Sequence, residues 1–234
     1  MPHLRLVRSD ATYGTEFNLL LCGTRMTPTS DGTAIVHVID DDDSVRLMLD
    51  SLLRSVGLSV RTYSNTQEFL KASRSDGPGC IVLDIRLPGI NGLDFQEQLQ
   101  EIGVRLPVVL MTGHGDIPMS VRGMKAGAVD FLAKPFRDQD MIDAVTAAIN
   151  RDRARRADEG WVIAASNRFA TLSTREREVM LLVTSGKLNK QIAGELGLSE
   201  ITIKMHRGAV MRKMGAHSLP DLVRMADTLK NKTR

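Results

Sequence analysis

The sequence predicts a doubly wound α/β domain, built on a sheet of five parallel strands, followed by a smaller all-α domain of four helices. Two observations support this prediction. Residues 34–150 alternate short apolar runs with stretches whose apolar residues recur at helical spacing, whereas residues 172–234 contain helical patterns and no strand signal. Strands buried on both faces read as nearly continuous apolar runs, and their alternation with helices is typical of an open parallel sheet.

Five segments are predicted as strands because they are rich in β-branched and aliphatic residues. They are Ala34–Ile39, Leu58–Tyr63, Cys80–Asp84, Pro107–Thr112 and Val129–Leu132. His37 lies inside the first of them without a partner pattern, so we expect it to be packed in the core. Doubly wound sheets bind ligands beyond the carboxyl ends of their strands, so the residues that end these segments are the candidates for a functional site.

The stretches between the strands are predicted as helices. Apolar residues recur at helical spacing from Val45 to Val56, and Ser64 with Gln67 forms a capping-box pattern at the start of the next helix. Gly123 lies inside the fourth helical pattern. Because glycine in a helix interior costs about 1 kcal/mol relative to alanine, we expect a loose helix there, in which Gly123→Ala slows local amide exchange.

The chain divides at changes of pattern and charge. Residues 1–33 show little periodicity and are expected to be a disordered tail, or to lie partly before a true translation start at Met26. Residues 34–150 form the first domain, with 11 Lys or Arg against 16 Asp or Glu. Residues 151–170 predict a helical extension followed by a linker. Residues 171–234 form the last domain, and from residue 172 onward it carries 12 Lys or Arg against 6 Asp or Glu, so it is a candidate for nucleic-acid binding.

The last domain is predicted to contain four helices, of which two are joined by a short turn. Gly197 ends the second helix and Ser199 caps the third. The four predicted helices are Thr174–Ser185, Asn189–Leu196, Glu200–Met214 and Leu219–Leu229.

Composition excludes several classes of protein. The chain has only two cysteines, and these do not form a CxxC pair, so neither a disulfide framework nor a structural zinc site is expected. No apolar run reaches the length of a membrane span. We therefore expect a cytoplasmic protein with no membrane partner.

Carboxylates lie at the carboxyl ends of the first and third predicted strands. Asp40 and Asp41 directly follow the first strand, and Asp84 is the last residue of the third. Carboxylates that converge at one sheet edge repel one another unless a cation joins them, and a hard oxygen site of this kind suits Mg²⁺. A carboxylate beside the metal can act as a nucleophile toward a phosphoryl group. Lys134 and Thr112, after the fifth strand and at the end of the fourth, can contact phosphoryl oxygens.

The alternative interpretation is structural. Four consecutive aspartates at positions 40–43 are also expected at a solvated helix N-terminus, where anions are favoured. We expect Asp42 and Asp43 to have only that role.

The motifs VHVIDDDDSVR, IVLDIRLPGINGLDF, VVLMTGHGD and AGAVDFLAKPF resemble those of a response-regulator receiver domain of the FixJ type, whose sheet is flavodoxin-like. The resemblance covers residues 34–150 and implies a set of roles. Asp84 is the implied phosphoacceptor. The implied Mg²⁺ ligands are Asp41, Asp40 (partly through water), Asp84 and the main-chain carbonyl of Arg86. Thr112 and Phe131 are the implied switch pair, and Lys134 contacts the phosphoryl group and precedes Pro135 by a cis bond.

The motifs LSTREREVMLL, LNKQIAGELGLSEITIKMHRGAVMRKM and SLPDLVRMA resemble a LuxR-type helix-turn-helix domain. The resemblance implies that Lys204 and Met205 approach base edges. It also implies that Lys190, Thr202 and Arg207 contact phosphates and that Arg212 lies on the DNA-facing surface. Gly208 departs from the pattern, since relatives often place a longer, base-contacting side chain there.

Together these observations predict a phosphorylation-activated transcription regulator, more specifically an activator. The implied partners are a sensor histidine kinase, promoter DNA, RNA polymerase and a second copy of the chain. Activation can proceed by uncovering the recognition helix, by joining receiver domains, or by both. Two alternatives remain: a C-terminal bundle that binds RNA or protein, and an aspartyl phosphatase. The phosphatase is disfavoured because Arg86 stands where such an enzyme needs a second carboxylate.

Overall fold

The computed structural model describes residues 33–73, 76–113 and 117–232. The expectations for residues 1–32, including the start at Met26, lie outside the described residues.

Five parallel strands form the predicted sheet, and each strand begins and ends within one residue of its expected bounds. In chain order the strands are β1 (Ile35–Ile39), β2 (Ser59–Tyr63), β3 (Gly79–Asp84), the short hairpin strands β4 (Arg86–Leu87) and β5 (Ile90–Asn91), β6 (Val108–Thr112) and β7 (Asp130–Ala133). The sheet order is β2-β1-β3-β6-β7. The first and third strands are therefore neighbours, which confirms the doubly wound topology.

The helices of the first half are α1 (Asp43–Ser55), α2 (Thr66–Lys71), α3 (Gly92–Glu101) and α4 (Ile117–Lys125), followed by the long helix α5 (Asp138–Ala170). One apolar cluster joins the sheet to α1 and α5 through residues such as Leu49 and Val145. A second cluster joins the other face to α2 and α3 through Phe69 and Phe95. The sheet is thus buried on both faces. His37 is buried, and its Nδ1 lies 3.0 Å from the Tyr63 hydroxyl, so it is packed as expected.

The predicted capping box at Ser64 is wrong by one residue. Asn65 caps α2, because its Oδ1 accepts from Glu68 N at 2.9 Å. The Glu68 carboxylate in turn accepts from Ser64 N at 2.8 Å. Two residues able to cap stand side by side here, and the glutamate three positions after Asn65 selects the later one.

The prediction of a loose α4 at Gly123 did not include a packing contact that the structure shows. Gly123 is buried, and a Cβ added there would lie 2.4 Å from Leu110 Cδ1 and 3.2 Å from Leu93 Cδ2. The glycine lets α4 approach β6 closely. Gly123→Ala would therefore push on the core, and slower local exchange no longer follows.

Helix α5 runs without a break to Ala170, so the segment 151–170 has no irregular linker. Its middle is anchored to the sheet by Asp152, which is fully buried. The Asp152 carboxylate accepts from Gly79 N, the first amide of β3, at 3.1 Å, and it also pairs with Arg155 and Arg156. Arg156 donates further to the main-chain oxygen of Asp76 at 2.6 Å. This network extends the contact of α5 with the first domain beyond residue 150.

The four C-terminal helices closely match their predictions: α6 (Thr174–Thr184), α7 (Asn189–Leu196), α8 (Glu200–Met214) and α9 (Leu219–Lys232). They surround a third apolar cluster that includes Val179, Ile203 and Leu222, and Trp161 and Phe169 of α5 pack against it. The last turns of α5 therefore belong to the packing of this bundle. None of the described helices is both long and apolar enough to cross a membrane.

Candidate functional site

The predicted acidic cluster forms at the carboxyl ends of β1 and β3. The register pairs Ile39 with Leu83, so the residues that follow, Asp40 and Asp84, come to the same sheet edge. Asp40 is fully buried, Asp84 is 6% exposed, and Asp41 is exposed. One carboxylate oxygen from each of the three lies within 4.8 Å of the others. This donor set fits Mg²⁺, which is bound by a few carboxylates while it keeps water and phosphoryl ligands.

Lys134 joins the two buried carboxylates. Its Nζ lies 2.6 Å from Asp40 Oδ2 and 2.7 Å from Asp84 Oδ2. Burial raises the pKa of Asp40, and the hydrogen bond from Lys134 reduces this rise without cancelling it. Burial lowers the pKa of Lys134, but the hydrogen bonds to Asp40 and Asp84 outweigh it and leave the pKa raised. The ammonium therefore stays charged. The Lys134–Pro135 bond is cis, as the resemblance implied.

The aspartates that follow Asp40 and Asp41 have a structural role. Asp42 caps α1, and the hydrogen bonds that its carboxylate accepts from backbone N–H groups lower its pKa. Asp43 lies in the first turn of the helix and pairs with Arg46. Arg46 Nη1 also donates to the main-chain oxygen of Asp40 at 2.6 Å, which ties α1 to the cluster. Arg46 was not predicted, because nothing in the sequence pattern indicates that its side chain reaches back six residues.

The loop after β3 fixes the orientation of Asp84. Arg86 N donates to Asp84 Oδ1 at 3.0 Å, and Arg86 pairs with Asn91 in the hairpin. Asp41 and Arg86 line one open hollow. Gly92 lies against the end of β3, since a Cβ there would be 2.4 Å from the main-chain oxygen of Asp84. Gly92 was not predicted as a site residue. It is the second glycine of PGINGLDF, and its close contact with the main chain of Asp84 becomes visible only in the folded structure.

The predicted switch residues lie on the two neighbouring strands. Thr112 ends β6, is fully buried, and its main-chain oxygen accepts from Lys134 N at 2.7 Å. Phe131 pairs with Leu110 in the β6–β7 register and packs, partly buried, against the second apolar cluster. The structure thus brings Thr112 and Lys134 to the edge that holds Asp84, whereas Phe131 lies farther back along β7.

A second candidate site is the exposed face of α8. Gly197 ends α7 with φ of +64°, and Ser199 Oγ accepts from Thr202 N at 3.1 Å, so the turn and the cap form as predicted. The residues of α8 that face the core are Ile203, Val210 and Met214. This packing leaves the opposite face of the helix open.

The open face of α8 carries three of the six predicted DNA-contacting residues. Lys204, Met205 and Arg212 are exposed, and the exposed fraction of Met205 is 71%. Ile201, one turn before Met205, is 74% exposed and was not predicted. An apolar side chain that is exposed near the start of such a helix can contact a thymine methyl group.

The remaining predicted contacts lie at the start of α7, in the first turn of α8 and in the middle of α8. Arg207 Nη1 donates to Asn189 Oδ1 at 3.2 Å, which holds the guanidinium beside the first residue of α7. Lys190, the next residue, is exposed. The Thr202 hydroxyl lies 2.9 Å from Ser199 Oγ. These groups therefore border the exposed face of α8.

Comparison with known families gives two matches along the chain. The family "Response regulator receiver domain" matches residues 36–146. The family "Bacterial regulatory proteins, luxR family" matches residues 170–226. The acidic cluster lies in the first match and the exposed face of α8 in the second.

Individual relatives are similar over both parts. Nodulation protein W of Bradyrhizobium diazoefficiens is 54% identical over 196 residues, which are 84% of this chain and 86% of that protein. Response regulator protein TodT of Pseudomonas putida is 43% identical over 210 residues, or 90% and 92% of the two chains. The solved structure of the response regulator StyR has a TM-score of 0.74 and 44% identity, and the match covers 84% of this chain and 99% of that one.

Proposed function

Because the chain belongs to the response regulators that join a receiver domain to a LuxR-family DNA-binding domain, we propose that a phosphoryl group on Asp84 activates its binding to promoter DNA. Members of this family are transcriptional regulators of two-component systems, whose partners are a sensor kinase and DNA. Receiver domains generally use Mg²⁺ at an acidic pocket, and a cluster of aspartates is present here.

The position of Lys134 between Asp40 and Asp84 is the observation that supports this proposal most strongly. The ammonium is 2.6–2.7 Å from each carboxylate, so a cation already stabilises the charge of the future acceptor. A phosphoryl group on Asp84 adds about two negative charges. Lys134 can then move its hydrogen bond from the carboxylate to a phosphoryl oxygen as a compact point charge.

Phosphoryl uptake is proposed to be a nucleophilic step at Asp84. A carboxylate oxygen attacks the phosphorus of a phosphohistidine, an acyl phosphate bond forms, and the phosphorus–nitrogen bond to the departing imidazole breaks. Asp40, Asp41 and the main-chain carbonyl of Arg86 would hold Mg²⁺, which supplies charge neutralisation for the phosphoryl oxygens when bound. Arg86 N, at 3.0 Å from Asp84 Oδ1, keeps the carboxylate in one orientation.

The response of the receiver domain is proposed to run through Thr112 and Phe131. Thr112 would turn toward the phosphoryl group, and Phe131 would turn inward beside it, which changes the surface formed by α4, β7 and α5. We propose that this surface joins two copies of the chain. Dimers bind paired half-sites, and each copy places the N-terminal half of α8 in the major groove.

Residues of α8 are proposed to read and hold the promoter. Lys204 and Met205 would approach base edges, while Lys190, Thr202 and Arg207 would meet phosphates, which position the protein without specifying sequence. Arg212 would lie on the same DNA-facing surface. RNA polymerase is the proposed partner of the bound dimer, which acts as an activator. No turnover enzyme is proposed, because exposed Arg86 occupies the place of a second acid/base carboxylate.

Phosphorylation can be tested by intact-mass spectrometry after incubation with acetyl phosphate and Mg²⁺. The wild-type chain should gain the mass of one phosphoryl group, and Asp84→Asn should gain none. Asp138→Asn, which changes an exposed aspartate at the start of α5, is the matched control and should behave as wild type. Phosphoryl retention by Asp84→Asn would place the acceptor elsewhere.

A further inference from the structure

A cavity of about 290 Å³ lies at the edge of the sheet opposite the acidic cluster. Val108, the first residue of β6, lines it, whereas Thr112 at the other end of the same strand lies beside the acidic cluster. Gln96 of α3 and Arg151 of α5 form parts of its wall. The cavity is much larger than a single water molecule needs. Because it lies at the other end of β6, it is separate from the site that the receiver chemistry uses.

The charged residues that line this cavity are all arginines. Arg105, Arg151 and Arg155 line it, and none of the described lining residues carries a carboxylate. Two of the arginines are held from outside the cavity. Glu159 pairs with Arg105 at 2.9 Å and with Arg155 at 2.9 Å, and buried Asp152 also pairs with Arg155. Guanidinium groups fixed in this way recognise oxyanions with little loss of side-chain freedom.

Two buried side-chain atoms of residues that line the cavity have no hydrogen-bond partner within the described part of the chain. One is Gln96 Oε1, on a side chain that is 2% exposed, and the other is Arg155 Nε. The orientation of the Gln96 amide is defined, because its Nε2 donates to the main-chain oxygen of Ala126 at 3.0 Å. Buried polar groups are normally paired. A ligand that satisfies both atoms must accept from an N–H and also donate a proton to Oε1.

We propose that this cavity is a binding site for inorganic phosphate. Phosphate offers oxygens to the three arginines, and it keeps at least one proton at neutral pH for Gln96 Oε1. Sulfate has the same shape and presents only acceptors at that pH, so the buried Oε1 disfavours it. The bound ion would link α3, the chain before β6 and α5, and so strengthen the docking of α5 on the receiver domain.

The proposal can be tested by calorimetric titration of the full-length protein with phosphate and, at equal ionic strength, with sulfate. We expect saturable phosphate binding at least about tenfold tighter than that of sulfate, a difference of about 1.4 kcal/mol. Equal affinity for the two ions, or an absence of saturable phosphate binding, would overturn the proposal.

Variants locate the site. Arg151→Gln changes an exposed cavity residue, and it should weaken phosphate binding about tenfold. Arg153→Gln is the matched control, because Arg153 is exposed on the same helix and does not line the cavity. Gln96→Met should remove the preference for phosphate over sulfate. Equal loss in Arg151→Gln and Arg153→Gln would mean that phosphate binds the basic surface in general, and the site would be rejected.

Discussion

Lys134 Nζ lies 2.7 Å from Asp84 Oδ2, so an ammonium group already occupies the position next to the proposed phosphoacceptor. The same nitrogen contacts Asp40 at 2.6 Å. The lysine thus partly cancels the repulsion between carboxylates that come from strands 44 residues apart in the chain, and it competes with any other cation for the same oxygens.

Removal of this ammonium should strengthen Mg²⁺ binding. In Lys134→Met, the oxygens of Asp40 and Asp84 lose the competing positive charge, and we expect Mg²⁺ to bind severalfold more tightly at pH 8 in calorimetric titrations. Lys125→Met, at an exposed position on α4, should leave the affinity unchanged. Weaker binding in Lys134→Met would contradict the view that Mg²⁺ and the ammonium share these ligands.

Replacement of Lys204 should reduce the affinity of the protein for DNA and weaken its preference for the specific site over unrelated DNA. If Lys204 reads a base, Lys204→Ala costs about 1–3 kcal/mol on the specific site and little on unrelated DNA. Fluorescence anisotropy at several salt concentrations measures both quantities. Lys230→Ala, at an exposed position on α9, is the control. A uniform loss with a shallower salt dependence would reassign Lys204 as a phosphate contact.

The buried Asp152 should stabilise the junction of α5 with the sheet. Asp152→Ala leaves the Gly79 amide without its acceptor and removes one of the acceptors of Arg155 and of Arg156, which are about one-third exposed. We expect a loss of about 2 kcal/mol in the free energy of unfolding, measured by urea denaturation. Asp158→Ala, at an exposed position on the same helix, should cost much less. Equal effects of the two changes would argue against a specific anchor.

Cys80 should be inert in the folded protein. Burial raises the pKa of its thiol to about 12, and the thiolate is the reactive form. In a Cys22→Ser background, a thiol reagent at pH 8 should label Cys80 only after denaturant is added. Rapid labelling without denaturant would show that β3 opens readily.

Much of this architecture could be predicted because the signals are local. Apolar runs gave each sheet strand to within one residue, and Gly197 with Ser199 defined the ends of α7 and the start of α8. The convergence of Asp40 and Asp84 followed from the sheet order alone.

The features that sequence analysis missed depend on distant parts of the chain. The unbroken course of α5 is supported by Asp152, whose partner Gly79 lies 73 residues earlier. Gly123 is explained by Leu110 on a neighbouring strand, and Gly92 by the main chain of Asp84. None of these contacts leaves a periodic pattern, so a glycine that permits close packing reads as a weak point in a helix.

Selection of genomic DNA fragments by the purified full-length protein, with and without acetyl phosphate and Mg²⁺, in parallel with Asp84→Asn, tests whether phosphorylation of Asp84 controls DNA binding. We expect enrichment of a few dyad-like sites that rises with the phosphodonor in the wild-type protein and stays constant in Asp84→Asn. An equal response of Asp84→Asn, or no sequence-selective enrichment in either state, would contradict this expectation.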